Sequence, residues 1–387
     1  MNQRRSRNTS DEYTFTPSQV MSLITSTIIG VGVLTLPRSV TEPAQQSGWI
    51  SVILGGLLSC VGLWLFLILG RMFPGSNIIS IGRKLFGSDR IPVIGKIFSF
   101  PLILSYLVFW FFTAAAVARI FGEVVVTAVL VKTPLEVIVG TMLFVAFIMV
   151  MCEMEVMARI HEALLPILII PVLLIALFSF QSANFIRLLP LFEVSWEGML
   201  AGIIAAMFSF QGYDVITVYM NNMELTSERT TRAAMFGMSI PILVYTLIVI
   251  AGISAFGYEE LQRLMWPTLE LVKTTEVPGL ILERLESAFL GVWVAAVFTT
   301  LASNYFTACF AAMQIFQFKT HRYLAVGFLP ALYFTAMWPD NVHQLFQYVK
   351  YVAYYGMVVF FGSTLFMIVL ALIRRGTRTA DVQEEKQ

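Results

Sequence analysis

Apolar runs, most of them about 20 residues long, follow one another along the chain at roughly 17–40, 48–70, 96–130, 134–152, 162–181, 196–220, 233–257, 283–317, 323–338 and 344–373. About 20 apolar residues is what a helix needs to cross the hydrocarbon core of a bilayer. In lipid, only helices and closed barrels satisfy their own backbone groups. The sequence therefore predicts an all-α integral membrane protein with ten transmembrane helices. Ten spans in 387 residues, 58% of them hydrophobic, leave no room for a soluble catalytic domain. The net charge of +1 supplies no global field that would attract nucleic acid.

Charge distribution sets the expected orientation. Most of the Lys and Arg residues fall in segments on the same side as the N-terminus, among them Arg4, Arg5, Arg7, Arg83, Lys84, Arg374 and Arg375. The positive-inside rule then places both termini in the cytoplasm and requires an even number of spans. Residues 1–16 read as a cytoplasmic tail, since no small-residue cleavage site follows them. Residues 17–373 read as one membrane domain and 374–387 as a second tail.

The first span carries Gly30 and Gly32 at its middle and Pro37 shortly after. Each glycine costs about 1 kcal/mol relative to alanine inside a helix, so the pair marks an interruption. Close packing of a G-x-x-x-G kind is the other use of such glycines, but here the spacing is i, i+2. Broken backbone at membrane depth is tolerated where it lines a cavity. The freed amides of the second half-helix, starting near Val33, would form a positively polarised end suited to a carboxylate, with Gly30, Val31 and Gly32 as the candidate binding residues at the break.

Span six repeats the signal, with Phe210-Gln211-Gly212-Tyr213-Asp214 in its middle. Spans one and six lie five apart, as do the overlong spans three and eight. This is the pattern of two inverted five-helix halves, each opening with a broken helix, with a solute site where the breaks meet.

Within span three, Arg119 and Glu123 stand at i, i+4 on one helix face. Two uses fit equally: a self-neutralising structural pair, or a gate- or ligand-linked acid at Glu123. Span eight holds Thr299, Thr300 and Ser303, whose hydroxyls can bond back to their own helix or serve a solute or sodium ion. Lys350, in span ten, is expected to snorkel to the outer interface. Cys60, Cys152 and Cys309 lack C-x-x-C spacing, and His161, His321 and His343 are scattered near span ends. No metal or cofactor is expected.

Taken together, Gly30-x-Gly32 with Thr35-Leu36-Pro37, the span-six motif and the ten-span plan resemble the amino acid–polyamine–organocation transporters. A closer resemblance is to the B subunit of spore germinant receptors. It is carried by Gly30 through Arg38, Gly48-Trp49-Ile50, Arg119-x-x-x-Glu123, Thr133-Pro134, Trp266-Pro267-Thr268, Glu283-Arg284-Leu285-Glu286-Ser287, Phe298-Thr299-Thr300 and Trp338-Pro339-Asp340. It runs from about residue 15 to 375. Gln211 stands where relatives can carry an apolar residue, and Asp214 stands in place of glutamate.

That resemblance implies a LeuT-type fold of 5+5 inverted repeats and a site for a small germinant, commonly an amino acid, in the inner membrane of a bacterial spore. It implies two partners, an A-type membrane subunit and a C-type lipoprotein subunit. It also places Thr113, about 10 residues or 15 Å deeper than Glu123 along the helix, around one cavity with Gln211, Thr299 and Thr300. The alternative is a proton- or sodium-coupled amino acid permease. A proton-coupled carrier buries a titratable group in its core, and the central spans offer Asp214 for that role, with Glu123 farther out.

Overall fold

The computed structural model describes residues 13–87, 92–190, 193–275 and 285–384, and every regular element among them is helical. Glu283 and Arg284 of the resemblance motifs, and most of the N-terminal tail, lie outside the described residues.

The first span is two helices, α1 (Pro17–Ile28) and α2 (Gly32–Ala44). A capping box starts α1: the Thr16 hydroxyl accepts from the Gln19 amide, the Gln19 side chain accepts from the Thr16 amide, and Pro17 sits at the first helical position. After the break come α3 (Gly48–Met72) and the nine-residue α4 (Ile78–Phe86), which Asn77 caps. Two long helices, α5 (Pro92–Ala128) and α13 (Leu285–Phe316), pack along each other. Between them in sequence lie α6 (Leu135–Val150), α7 (Met154–Phe178), α8 (Trp196–Ser209), the short α9 (Ile216–Tyr219) and α10 (Glu228–Phe256). The segment between spans seven and eight carries two further helices, α11 (Tyr258–Arg263) and α12 (Pro267–Lys273), both seated on α2. The chain closes with α14 (Arg322–Ala336), α15 (Val342–Met357), a π-turn over Val358–Gly362, and α16 (Ser363–Glu384).

Six described helical segments are long and apolar enough to cross a membrane, and the bent pair of α8 with residues 213–222 makes a seventh. The expected ten is not reached on length because the first span is split into pieces of 12 and 13 residues, while α6 has 16 and α14 has 15. Large apolar side chains such as Leu57, Phe144, Ile170, Phe236 and Leu372 face outward on these helices. A surface of that kind is stable only against lipid or protein.

The α1 half-helix is the hub. It packs against α7, α10 and α13, and α2 packs against α8, so the two interrupted spans lie side by side.

Candidate functional site

In the first break the Gly30 amide donates to the Ile28 carbonyl at 2.9 Å, and α2 begins at Gly32 with Val31 at the N-cap position and no side chain capping it. Helix termini leave up to four backbone donors without intrahelical partners, and here they open beside span six. In the second break, Gly212 has φ +128°, a conformation that L side chains rarely adopt. A Cβ on Gly212 would sit 2.9 Å from the Thr27 carbonyl oxygen, so the second break touches the first at backbone level. A Cβ on Gly30 would sit 2.2 Å from Thr300 Oγ1. The glycines thus do two jobs: Gly212 and Gly30 allow close approach, and Gly32 opens the α2 terminus.

Where the breaks meet lies a cavity of about 640 Å³, within the range of small-molecule sites. Thr27, Ile28, Gly212, Thr300 and Asn304 form its deep end, with Val31, Gly32, Thr113 and Gln211 on the walls. Exposed Glu42, His343, Gln347 and Lys350 form its mouth. Arg38 stands on the same wall, its guanidinium 5.5 Å from the Phe346 ring centroid. Lys350 therefore lines the cavity mouth, which the expectation of simple snorkelling did not include.

The other expected site residues are distributed around this space. The Gln211 amide nitrogen donates to the Ala353 carbonyl at 2.8 Å and ties the second break to α15. Thr300 lines the cavity and donates to the Thr27 carbonyl at 2.9 Å. Its neighbour Thr299, about 100° further round the helix, lies off the cavity wall and donates to the Ser26 carbonyl at 3.0 Å. Phe210 is fully buried against the Tyr245 ring, and the Gly30 carbonyl accepts from the Trp293 indole at 3.2 Å; neither residue lines the cavity.

Asp214 lies behind the second break. Its carboxylate accepts from the Trp110 indole at 2.6 Å and from the Gly212 amide at 2.9 Å. A void of about 10 Å³ beside it is at the lower limit for one water. Arg119 and Glu123 form a buried ion pair: Nε and Nη2 both lie 2.9 Å from Glu123 Oε1, and Nη1 donates to the Ala336 carbonyl at 3.2 Å. Neither residue lines the cavity.

Two polar residues matter more than their sequence context suggested. His161, placed near a span end in the sequence, is wholly buried. Thr27 donates to the Ser303 hydroxyl at 3.2 Å; Ser303 contacts His161 Nε2 at 3.0 Å; His161 Nδ1 contacts the Ser26 hydroxyl at 2.5 Å, and Ser26 donates to the Ser22 carbonyl at 2.6 Å. One neutral imidazole, protonated on Nδ1, satisfies every link. This chain clamps α1 to α7 and α13. Asn304 is the second; its Oδ1 is buried without a partner, as is the Thr113 hydroxyl.

Residues 14–345 match the family described as spore germination protein. The chain belongs to that family. It is 29% identical over 352 residues to spore germination protein B2 of Bacillus subtilis (strain 168), covering 90% of this chain and 93% of the relative. Spore germination protein YndE of the same organism is 26% identical and covers 93% and 97% of the two chains. GerLB of Bacillus cereus is 26% identical and covers 91% and 92%. Among solved structures, MhsT in complex with L-phenylalanine superposes with a TM-score of 0.63 at 14% identity, covering 94% of this chain and 90% of that one. The nucleobase-cation-symport-1 family transporter MHP1 superposes at 0.59 and 15% identity, covering 88% and 75%. Family and fold establish an all-α, LeuT-type integral membrane protein of the germination permease kind.

Proposed function

We propose that this chain is the germinant-sensing subunit of a spore germination receptor and that a small amino acid binds between the two helix breaks. The observation that carries this reading is the cavity itself. It lies between the C-terminal end of α1, at Thr27 and Ile28, and the N-terminal end of α2, at Val31 and Gly32. A helix carries partial negative charge at its C-terminus and partial positive charge at its N-terminus. A zwitterion with its ammonium toward α1 and its carboxylate toward α2 matches both ends. No covalent chemistry is assigned to the chain.

Ten membrane spans, cytoplasmic termini and the inner membrane of the spore complete the proposal. An A-type membrane subunit and a C-type lipoprotein subunit are the partners to which the signal passes. Ligand shifts a two-state equilibrium by its differential affinity for the two states. The His161 chain clamping α1 to α7 and α13 is a natural element to be biased.

The alternative is a coupled permease: the hydroxyls of Thr299, Thr300 and Ser303 bond to Ser26, Thr27 and His161 and keep oxygen lone pairs that a cation can use, so transport itself decides between the two readings. Two experiments test the reading. Spores lacking the gene should lose germination toward one or more amino acids and regain it on complementation. Proteoliposomes containing the purified chain should bind amino acid without accumulating it. Accumulation driven by a proton or sodium gradient would establish the permease instead.

A further inference from the structure

We infer that the Asn304 side-chain carbonyl is the acceptor for the ligand's ammonium group, which makes it the residue that distinguishes an amino acid from a plain carboxylic acid. The inference rests on the amino-acid reading of the cavity and names a residue that reading left unassigned.

The argument is an accounting of acceptors at the ammonium end. A C-terminal helix end normally offers its last carbonyls, yet each of the last three of α1 already accepts at least one hydrogen bond, whereas Asn304 Oδ1 accepts none. The Ser26 carbonyl accepts from Thr299 at 3.0 Å, the Thr27 carbonyl from Thr300 at 2.9 Å, and the Ile28 carbonyl from both Tyr245 Oη at 2.8 Å and the Gly30 amide at 2.9 Å. In the break itself the Gly30 carbonyl accepts from Trp293. Asn304 lies one turn beyond Thr300 on α13, so it stands at the same end of the cavity. Its Nδ2 donates to the Thr300 carbonyl at 2.8 Å. A carbonyl takes only a donor, so this bond fixes which end of the amide is nitrogen and leaves Oδ1 as the free end. That oxygen is buried without a partner, in a residue only 1% exposed that lines the deep end of the cavity. A turn of the side chain toward the cavity brings it within reach of a ligand. An ammonium then pairs the oxygen, whereas a methylene in its place leaves the acceptor unpaired and desolvated. The unpartnered Thr113 hydroxyl, on α5, is left for the rest of the solute.

The test uses the purified full-length chain in nanodiscs and three matched pairs of probes: L-alanine and propionate, L-valine and 3-methylbutanoate, L-phenylalanine and 3-phenylpropanoate. Affinities are measured by calorimetry or competition. For the pair that binds best, the wild type should prefer the amino acid by at least about tenfold, equivalent to about 1.4 kcal/mol. Asn304→Leu, which keeps the volume and removes the acceptor, should narrow that preference to within about threefold at an unchanged melting temperature. Asn304→Asp keeps an acceptor and should retain the preference; if the leucine variant does not accumulate, Asn304→Ala is read in its place. A preference that survives in the leucine or alanine variant, or a wild type that binds both members of a pair equally, overturns the assignment of Asn304 and leaves the cavity reading standing. If none of these binds, the pair is made from the L-amino acid that binds best and its des-amino acid and is read the same way; a wild type that binds no L-amino acid overturns both.

Discussion

Removing Glu123 separates a structural role from a gating one. Arg119 is 4% exposed and Glu123 11% at the side chain, with two guanidinium nitrogens 2.9 Å from one carboxylate oxygen. Glu123→Ala strands a buried guanidinium whose other described hydrogen bonds go to the Ala336 carbonyl and the Met337 sulfur. Breaking a buried pair from one side costs about 3–5 kcal/mol. A loss of only 1–2 kcal/mol already changes protein abundance several-fold, so Glu123→Ala should sharply lower both membrane level and melting temperature. Replacing the whole pair with apolar residues, Arg119→Met with Glu123→Leu, removes the stranded charge and is often neutral. What remains is the Ala336 carbonyl without its donor, about 1 kcal/mol, so the double variant should recover most of the level, the melting temperature and the germinant response. Immunoblots of membranes, thermal melts in detergent and germination assays read the three quantities. The reasoning fails if Glu123→Ala accumulates and melts like the wild type while the response is lost, which would make Glu123 a gate.

Three further outcomes follow from the geometry. Gly212→Ala should be destabilised by about 1–3 kcal/mol from backbone strain alone, with an added penalty from the 2.9 Å approach to the Thr27 carbonyl. Gly32→Ala, whose Cβ would meet its nearest neighbours at 3.3 Å, should melt close to the wild type; equal melting of the two variants would refute the close-approach argument. Gln211→Leu should shift the ligand ranking toward alanine- and valine-like solutes by about tenfold, or about 1.4 kcal/mol; an unchanged rank order in a dose–response series would show that Gln211 does not read the ligand. His161→Leu leaves the Ser26 and Ser303 hydroxyls without the imidazole and should lower the melting temperature more than His343→Leu at the exposed mouth.

Much of this arrangement was legible in the sequence because each break combines glycine with another interrupting residue inside an apolar run. Gly30-x-Gly32 before Pro37, and Gly212 between Gln211 and Asp214, marked the two breaks, and the structure brings them into contact. The i, i+4 spacing of Arg119 and Glu123 likewise announced their pairing. Side-chain direction was harder to read. Thr299 and Thr300 are adjacent, yet only the second reaches the cavity, because one residue turns the helix by about 100°. Asn304 escaped notice because mean hydropathy averages a single polar residue into its apolar surroundings, and for the same reason His161 was read as lying near a span end. For His161 a signal was present: Met157, His161, Leu165, Leu168 and Val172 lie on one buried stripe of α7, at the three- and four-residue spacing that marks a core-facing side. Between spans seven and eight the chain holds α11 and α12, whose packing on α2 is a tertiary matter that no local pattern announces.

The central claim, that an amino acid binds between the two breaks, is tested most directly by saturation binding of radiolabelled L-amino acids to the purified chain in nanodiscs, comparing wild type with Gly32→Val. Gly32 opens α2 on the cavity wall, and a Cβ there would meet the Ser209 carbonyl and the Tyr245 hydroxyl at 3.3 Å, so a valine crowds the backbone whose amides are proposed to hold the carboxylate. The account predicts saturable, stereoselective binding of at least one amino acid to the wild type. It predicts loss of that binding in Gly32→Val, with a lowered melting temperature but the elution profile of a folded, monodisperse protein. Absence of saturable binding for every amino acid in the wild type, or undiminished binding in the valine variant, would contradict it.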